Sequence, residues 1–132
     1  MPNLNRVQII GRLGKDPEAR TTRNGAAVVT FPVAVDRMWR NRDGESRKET
    51  DWFNVEAWGK LGQICQKYLG KGRLVFIEGR LLTQRWENEG EVRYYTKVIA
   101  NTMQMLDRPK EAEDHEVEIP HEEALDEAEE EE

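Results

Sequence analysis

Hydrophobic and polar residues alternate along most of the first hundred positions, which is the pattern of β-strands with one buried face. Glycine turns separate the alternating segments, and Asn24-Gly25 and Asp43-Gly44 are strong turn signals. Five strands are therefore predicted, at residues 6–14, 26–39, 49–58, 73–86 and 92–100, with 103–106 a candidate extension of the last. Pro32 lies inside the second segment and cannot donate to a ladder, so we expect a bulge or a locally unpaired stretch there.

Between the third and fourth strands the hydrophobic period changes to that of a helix. One helical face collects the apolar residues at i, i+3, i+4, i+7 and i+8, namely Leu61, Ile64, Cys65, Tyr68 and Leu69. Gly70 and Gly72 are stop signals, so the helix is predicted within residues 59–72. Because Cys65 lies on the apolar face, it is predicted to be a buried structural thiol.

The order of three strands, one helix and two strands matches the OB-fold, a small five-stranded barrel. The predicted class is therefore all-β with one short helix, and residues 1–108 are predicted to form the OB-fold domain. From Pro109 onward the chain loses aromatic and basic residues and becomes rich in glutamate. Residues 109–132 are therefore predicted to form a disordered acidic tail.

Charge is distributed very unevenly along the 132 residues, whose net charge is −6. Residues 1–110 hold 20 basic and 13 acidic side chains, a net charge of +7. Residues 111–132 hold no basic and 13 acidic side chains, a net charge of −13. A basic body suits a polyanionic partner, and an acidic tail can compete for the same surface.

Catalytic and metal chemistry find little support in the sequence. The only histidines, His115 and His121, lie in the acidic tail, and the single cysteine excludes a disulfide framework or a cysteine zinc site within one chain. No Walker loop, G-x-S-x-G or H-E-x-x-H motif occurs. We expect no catalytic residue, no metal and no cofactor. Without a signal-peptide pattern or an apolar run long enough for a bilayer, we expect no membrane association and a cytoplasmic location.

Four tryptophans carry the functional signal: Trp39, Trp52, Trp58 and Trp86. In the third strand, Trp52 and Trp58 share a face with Asn54 and Glu56, which a core-facing stripe would not carry. Both tryptophans are therefore predicted to be exposed. In the fourth strand the predicted interior residues are Val75, Ile77, Gly79 and Leu81. The predicted outward residues are Phe76, Glu78, Arg80, Leu82, Gln84 and Trp86.

Exposed aromatic side chains interleaved with cations form a stacking platform for unpaired bases, worth about 1–3 kcal/mol per base. The alternative is that these tryptophans pack against a partner subunit or cover the barrel. The surrounding cations together suit a groove that follows phosphates, although each alone is more often a solubilising residue. They are Arg6, Arg20, Arg40, Arg42, Arg47, Lys48, Lys60, Lys71, Arg73, Arg80 and Arg85.

Over residues 3–106 the sequence resembles the bacterial-type single-stranded DNA-binding protein family. The matching stretches include Thr50-Asp51-Trp52, Trp58-Gly59-Lys60-Leu61, Tyr68-Leu69-Gly70-Lys71-Gly72, Val75-Phe76-Ile77-Glu78-Gly79-Arg80-Leu81, Arg85-Trp86 and Thr102-Met103-Gln104-Met105-Leu106. The resemblance implies sequence-independent coating of single-stranded DNA in replication, recombination and repair. It also implies a homotetramer, with Val7, Ile9 and Ile10 of the first strand near a dimer contact.

The resemblance further implies roles for particular residues. The base-stacking aromatics would be Trp39, Trp52, Trp58 and Trp86, and the DNA-contacting cations Arg6, Arg40, Lys60, Lys71 and Arg85. Leu82 and Gln84 stand where some members carry arginine, which predicts weaker attraction for the DNA backbone on that strand. The family tail ends in Pro-Phe and recruits replication and repair proteins, whereas this sequence ends in four glutamates and has only an internal Ile119-Pro120.

Two other functions are compatible with the sequence. An OB-fold can serve as a primosome or RNA-binding adaptor, and retention of all four tryptophans argues against loss of strand binding. An enzyme such as a nuclease is the second alternative, and the absence of catalytic motifs argues against it.

Overall fold

The computed structural model describes residues 2–107 and the backbone of residues 116–118. The five predicted long strands and the helix between the third and fourth of them are all present. Two short strands, β2 and β7, were not predicted. The elements are β1 (Val7–Leu13), β2 (Glu18–Thr21), β3 (Ala27–Arg40), β4 (Ser46–Trp58), α1 (Gly59–Tyr68), β5 (Leu74–Asn88), β6 (Glu91–Met105) and β7 (Glu116–Glu118).

Five of the strands close into a barrel, which confirms the predicted OB-fold. β1 pairs antiparallel with both β5 and β3, β3 pairs with β4, and β5 pairs with β6. A short parallel pairing, Val55 with Val98 and Glu56 with Ile99, joins β4 to β6 and closes the circle. β2 pairs with the start of β3, and β7 pairs with β6 at residues 102–104. The rest of the predicted tail lies outside the described residues.

Alternate residues of the five strands fill the barrel, and α1 packs against this core. The interior includes Phe31, Val33, Val55 and Ile77, all at most 2% exposed. The helix contributes its apolar face to the same cluster, including Cys65. Burial disfavours the charged thiolate and raises the pKa of Cys65 to about 12, as expected for a structural thiol. Within the described part of the chain, no helix is both long and apolar enough to cross a bilayer.

Of the two alternatives predicted at Pro32, the bulge is wrong, and a locally unpaired stretch is confirmed on one side of the strand. β3 and β4 stay in unbroken register from Val28 opposite Trp58 to Arg40 opposite Ser46. The Pro32 carbonyl accepts a 3.0 Å hydrogen bond from the Gly14 backbone N–H, so this side of Pro32 faces away from β4. On this side of Pro32, β1 has already ended and β2 has not yet begun, so no strand lies beside the residue. The missing proline N–H therefore removes no hydrogen bond from the sheet.

The predicted faces of β5 continue along the strand, but three of its residues do not have the burial that those faces suggested. Leu81, predicted to be interior, is 40% exposed, whereas Leu82, predicted to face outward, packs against a buried apolar cluster. Pairing of β1 with β5 ends at Gly79, where the β5–β6 register also shifts. Beyond that point β5 no longer has β1 beside it, so Leu81 is exposed, although its β6 partner Val98 is still buried in the core next to β4. Glu78, also predicted to face outward, is buried and accepts hydrogen bonds from Arg6 and Gln8.

Candidate nucleic-acid interface

A groove of about 720 Å³ runs along the outer face of the barrel. It opens because β4 and β6 pair only at two positions and then separate. The loop between β1 and β2 forms one side, and the β5–β6 ribbon contributes the opposite side. The side chains that line it include Trp52 and Asn54 of β4, Gln84 of β5, and Tyr95 and Lys97 of β6.

A buried ion pair lies where the two strands meet. Lys97 Nζ donates to Glu56 Oε1 at 2.7 Å, and each residue is only 5% exposed. The Arg20 guanidinium lies 3.6 Å from the same carboxylate oxygen. Because β4 supplies Glu56 and β6 supplies Lys97, the pair links the two strands at the closed end of the groove.

Trp52 is exposed at the groove, as predicted. It is 60% exposed, and its ring lies so close to Gly14 that a Cβ at that position would collide with the ring. Glycine therefore makes room for the indole against the β1–β2 loop. This loop is held in turn by the Asp16 carboxylate, which accepts a 2.7 Å hydrogen bond from the Lys71 backbone N–H.

Trp86 is also exposed, near the tip of the β5–β6 ribbon. It is 55% exposed and lies opposite Arg93 in the ladder. These two residues line a second concavity along the ribbon with Gln84 and Tyr95, which lie on the same face. A tryptophan beside a guanidinium group offers both a stacking surface and charge for a phosphate.

Trp39 is 42% exposed, but it does not share a face with Trp52. Trp39 lies opposite Arg47, and Trp52 lies opposite Ala34. Positions 34 and 39 of β3 are an odd number of residues apart, so the two pairs lie on opposite faces of the β3–β4 ribbon. The Arg37 guanidinium lies 5.9 Å from the Trp39 ring centroid. Arg37 Nε donates a 2.7 Å hydrogen bond to Asp51 Oδ2, and this hydrogen bond raises the pKa of Arg37.

The predicted exposure of Trp58 is wrong. Trp58 is on the predicted face of β4 but is only 1% exposed, because that face carries a second apolar cluster with Val28 and Ile99. Ala26 and Leu82 pack against this cluster. Alternation places a side chain on a face but does not say whether the face is covered. In this structure the Trp58 ring is unavailable to a base.

The five predicted DNA-contacting cations are exposed, but they do not gather in the groove: Arg6, Arg40, Lys60, Lys71 and Arg85. Arg6 pairs with Glu78 at 2.8 Å, and Arg85 lies 3.5 Å from Glu87. The described cations that line the groove itself are Lys15, Arg20 and Lys97. Within residues 2–107, no three metal-ligating side chains come together.

Two exposed aromatic residues were missed by the sequence analysis. Tyr94 is 70% exposed and Tyr95 is 49% exposed. They follow Arg93 in the last strand, so the same signal of an aromatic residue beside a cation could have found them. As neighbours in a strand, they face opposite sides of the ribbon, and only Tyr95 lines the groove.

Comparison with known proteins agrees with this geometry. The model of the single-strand binding protein family matches residues 4–106. The chain belongs to this family. Single-stranded DNA-binding protein 1 of Chlorobaculum tepidum is 45% identical over 105 residues, which cover 78% of this chain and 65% of that relative. The chain thus spans just under two thirds of the relative's length.

Solved structures show the same fold. A Plasmodium falciparum SSB in complex with ssDNA is 30% identical, with a TM-score of 0.74 over 81% of this chain and 98% of that one. A deletion variant of the single-stranded DNA-binding protein from Thermus aquaticus is 31% identical, with a TM-score of 0.69 over 79% of this chain and 51% of that one. The resemblance inferred from the motifs is therefore confirmed at the level of family and fold.

The buried ion pair generates a stability prediction. Lys97→Met leaves the Glu56 carboxylate buried without its nearest cation, so we expect the free energy of unfolding to fall by about 3–5 kcal/mol. The double variant Glu56→Leu/Lys97→Met removes both charges and should recover most of that loss. Urea denaturation measures both values. Removing an exposed pair by Arg47→Met is the control and should cost less than about 1 kcal/mol. A single variant as stable as the double one would contradict the prediction.

Proposed function

We propose that this protein binds single-stranded DNA without sequence selectivity and protects it in the cytoplasm during replication, recombination and repair. The carrying observation is that Trp52 and Trp86 lie exposed along concave surfaces of a barrel whose family binds single strands. Stacking is tolerant of sequence because every base has a π-face. The mechanism needs no bond chemistry, since affinity comes from stacking and from phosphate neutralisation.

Electrostatic attraction supplies the second part of the proposed mechanism. Residues 1–110 carry a net charge of +7, and neutralising phosphates with lysine and arginine releases counterions. Arg6, Arg40, Lys60, Lys71 and Arg85 are proposed phosphate contacts around the aromatic surfaces. Lys15 and Arg20 are further candidates because they line the groove. Binding should therefore weaken as salt concentration rises.

Tryptophan fluorescence tests the stacking mechanism. Oligo-dT should quench the exposed Trp39, Trp52 and Trp86, whereas the buried Trp58 should keep its emission. Trp52→Ala and Trp86→Ala should each weaken binding by about 1–3 kcal/mol, and Trp58→Phe, the buried control, should preserve affinity. An unquenched spectrum at saturating oligo-dT would rule out stacking. Competition between poly-dT and oligo-rU in the same assay distinguishes DNA binding from an RNA-binding adaptor role.

We also propose that the protein assembles as a homotetramer through β1. Ile10 is 54% exposed on the outer face of β1, where it lies opposite the half-buried Phe76. β1 pairs with β3 only at Arg12 and Leu13, which leaves the backbone of its first residues open on that side. Ile9 faces the core, so its contribution to a contact would come from the backbone edge.

Light scattering should report a mass near four times 15.4 kDa at micromolar concentration. Ile10→Glu places a charge in the proposed contact and should yield a smaller species. Leu106→Glu, at a residue 45% exposed elsewhere on the surface, is the matched control and should leave the mass unchanged. A wild-type monomer would refute the proposed assembly.

The acidic tail is proposed to compete with DNA for the basic body. Its charge of −13 is tethered to a body of +7, so its effective concentration is high even though salt screens the attraction. Removing residues 111–132 should tighten oligo-dT binding at low salt and change it little at high salt. Equal affinities at low salt would leave solubility, or the recruitment of replication and repair proteins, as the role of the tail.

A further inference from the structure

We infer that Trp52 and Tyr95 form the two walls of a clamp that holds one nucleobase between their rings. The inference rests on the proposed binding of single-stranded DNA and adds to it a residue, Tyr95, and a defined position for one base. Both side chains line the same groove, and both are about half exposed or more. A base between two aromatic rings loses water from both of its faces.

The strand register places the two residues level with each other on β4 and β6. β4 and β6 run parallel, with Val55 beside Val98 and Glu56 beside Ile99. Continuing that register three residues back from the first pair brings Trp52 level with Tyr95. Both also lie on the outer face, because Trp52 shares parity with Glu56 and Tyr95 shares parity with Lys97, and these two residues form the 2.7 Å ion pair.

The separation of β4 and β6 creates room for a base. Two stacked contacts of roughly 3.5 Å each require about 7 Å between the rings, whereas paired strands lie only about 4.8 Å apart. The backbone pairing between β4 and β6 is confined to residues 55–56 and 98–99, and the groove opens beyond it. The ion pair holds the closed end, so the walls separate progressively toward Trp52 and Tyr95.

The Trp52 wall is supported from behind, and the Tyr95 wall belongs to a paired strand. The Trp52 ring lies against Gly14, and Tyr95 belongs to a ribbon in which it pairs with Gln84. Asn54 and Gln84 also line the groove, and their amides provide both donors and acceptors for a base edge. Such amides can serve any of the four bases, so the clamp is expected to accept a nucleobase without strong preference.

Tyr94 provides a control that the strand itself supplies. It is the neighbour of Tyr95, is more exposed at 70%, and lies opposite Arg85 on the other face of the ribbon. If simple exposure governed stacking, Tyr94 would matter more than Tyr95. If the clamp exists, the order is reversed.

Oligo-dT titration of full-length variants tests the clamp. Tyr95→Ala should weaken binding roughly 5- to 150-fold, the range expected for losing one base stack. Tyr95→Phe keeps the ring and should stay within about 2-fold of wild type by the same reasoning. Tyr94→Ala should lose less affinity than Tyr95→Ala. Thermal unfolding of each variant checks that the barrel is intact, and the Tyr95→Phe result separates ring loss from any folding effect.

Double variants test whether the two rings share one base. If they do, Trp52→Ala/Tyr95→Ala should lose less affinity than the product of the two single losses, because removing either wall already dismantles the clamp. The Trp39→Ala/Tyr95→Ala double variant should lose affinity by the product of its two single losses, because Trp39 lies on the other face of its ribbon.

The outcomes separate the clamp from the proposed function. Wild-type affinity in Tyr95→Ala, with Trp52→Ala still impaired, would overturn the clamp and leave single-stranded DNA binding in place. Equal losses of affinity in Tyr94→Ala and Tyr95→Ala would also overturn the clamp. So would a Trp52→Ala/Tyr95→Ala double variant whose loss of affinity equals the product of the two single losses. Absence of any oligo-dT binding by the wild-type chain would instead overturn the proposed function.

Discussion

The two-residue parallel pairing between β4 and β6 is the contact on which both the barrel and its groove depend. It joins the ends of the sheet through Val55 and Val98, so each of the five long strands has two neighbours. The Glu56–Lys97 ion pair reinforces the junction from the outer side at 2.7 Å. Because the pairing is so short, the strands are free to separate beyond it, and the separation forms the groove. Closure of the fold and the opening of the groove thus arise from the same junction.

The outer face next to this junction is not uniformly polar. Trp58, Val28 and Ile99 form a second buried cluster there, beside the ion pair and beneath the partly buried Leu82. This arrangement gives the four tryptophans different roles. Trp58 stabilises the outer layer of the barrel, whereas Trp52, Trp86 and Trp39 are available for a ligand. A substitution at Trp58 would therefore act through stability, whereas Trp52 is exposed and is a proposed contact for DNA.

The two long hairpins extend the aromatic surface beyond the barrel on more than one side. In the β3–β4 ribbon, Trp39 and Trp52 face opposite ways, and in the β5–β6 ribbon Tyr94 and Tyr95 do the same. A ribbon outside the barrel has no core side, so both faces can carry aromatic side chains. A bound strand that reached Trp39 as well as Trp52 would have to pass around the β3–β4 ribbon or continue on another subunit.

The sequence by itself determined the element order, the core face of β4 and the exposure of Trp52 and Trp86, because periodicity and turn residues are local properties. It also determined the family, whose motifs span residues 4–106. Only the tertiary structure decided that Trp58 is covered, that Pro32 falls where no strand partner needs its N–H, and that Leu81 leaves the core beyond Gly79. Each of these depends on which distant strand lies beside the residue. Alternation specifies the side of a strand, but contacts between distant segments decide what that side meets.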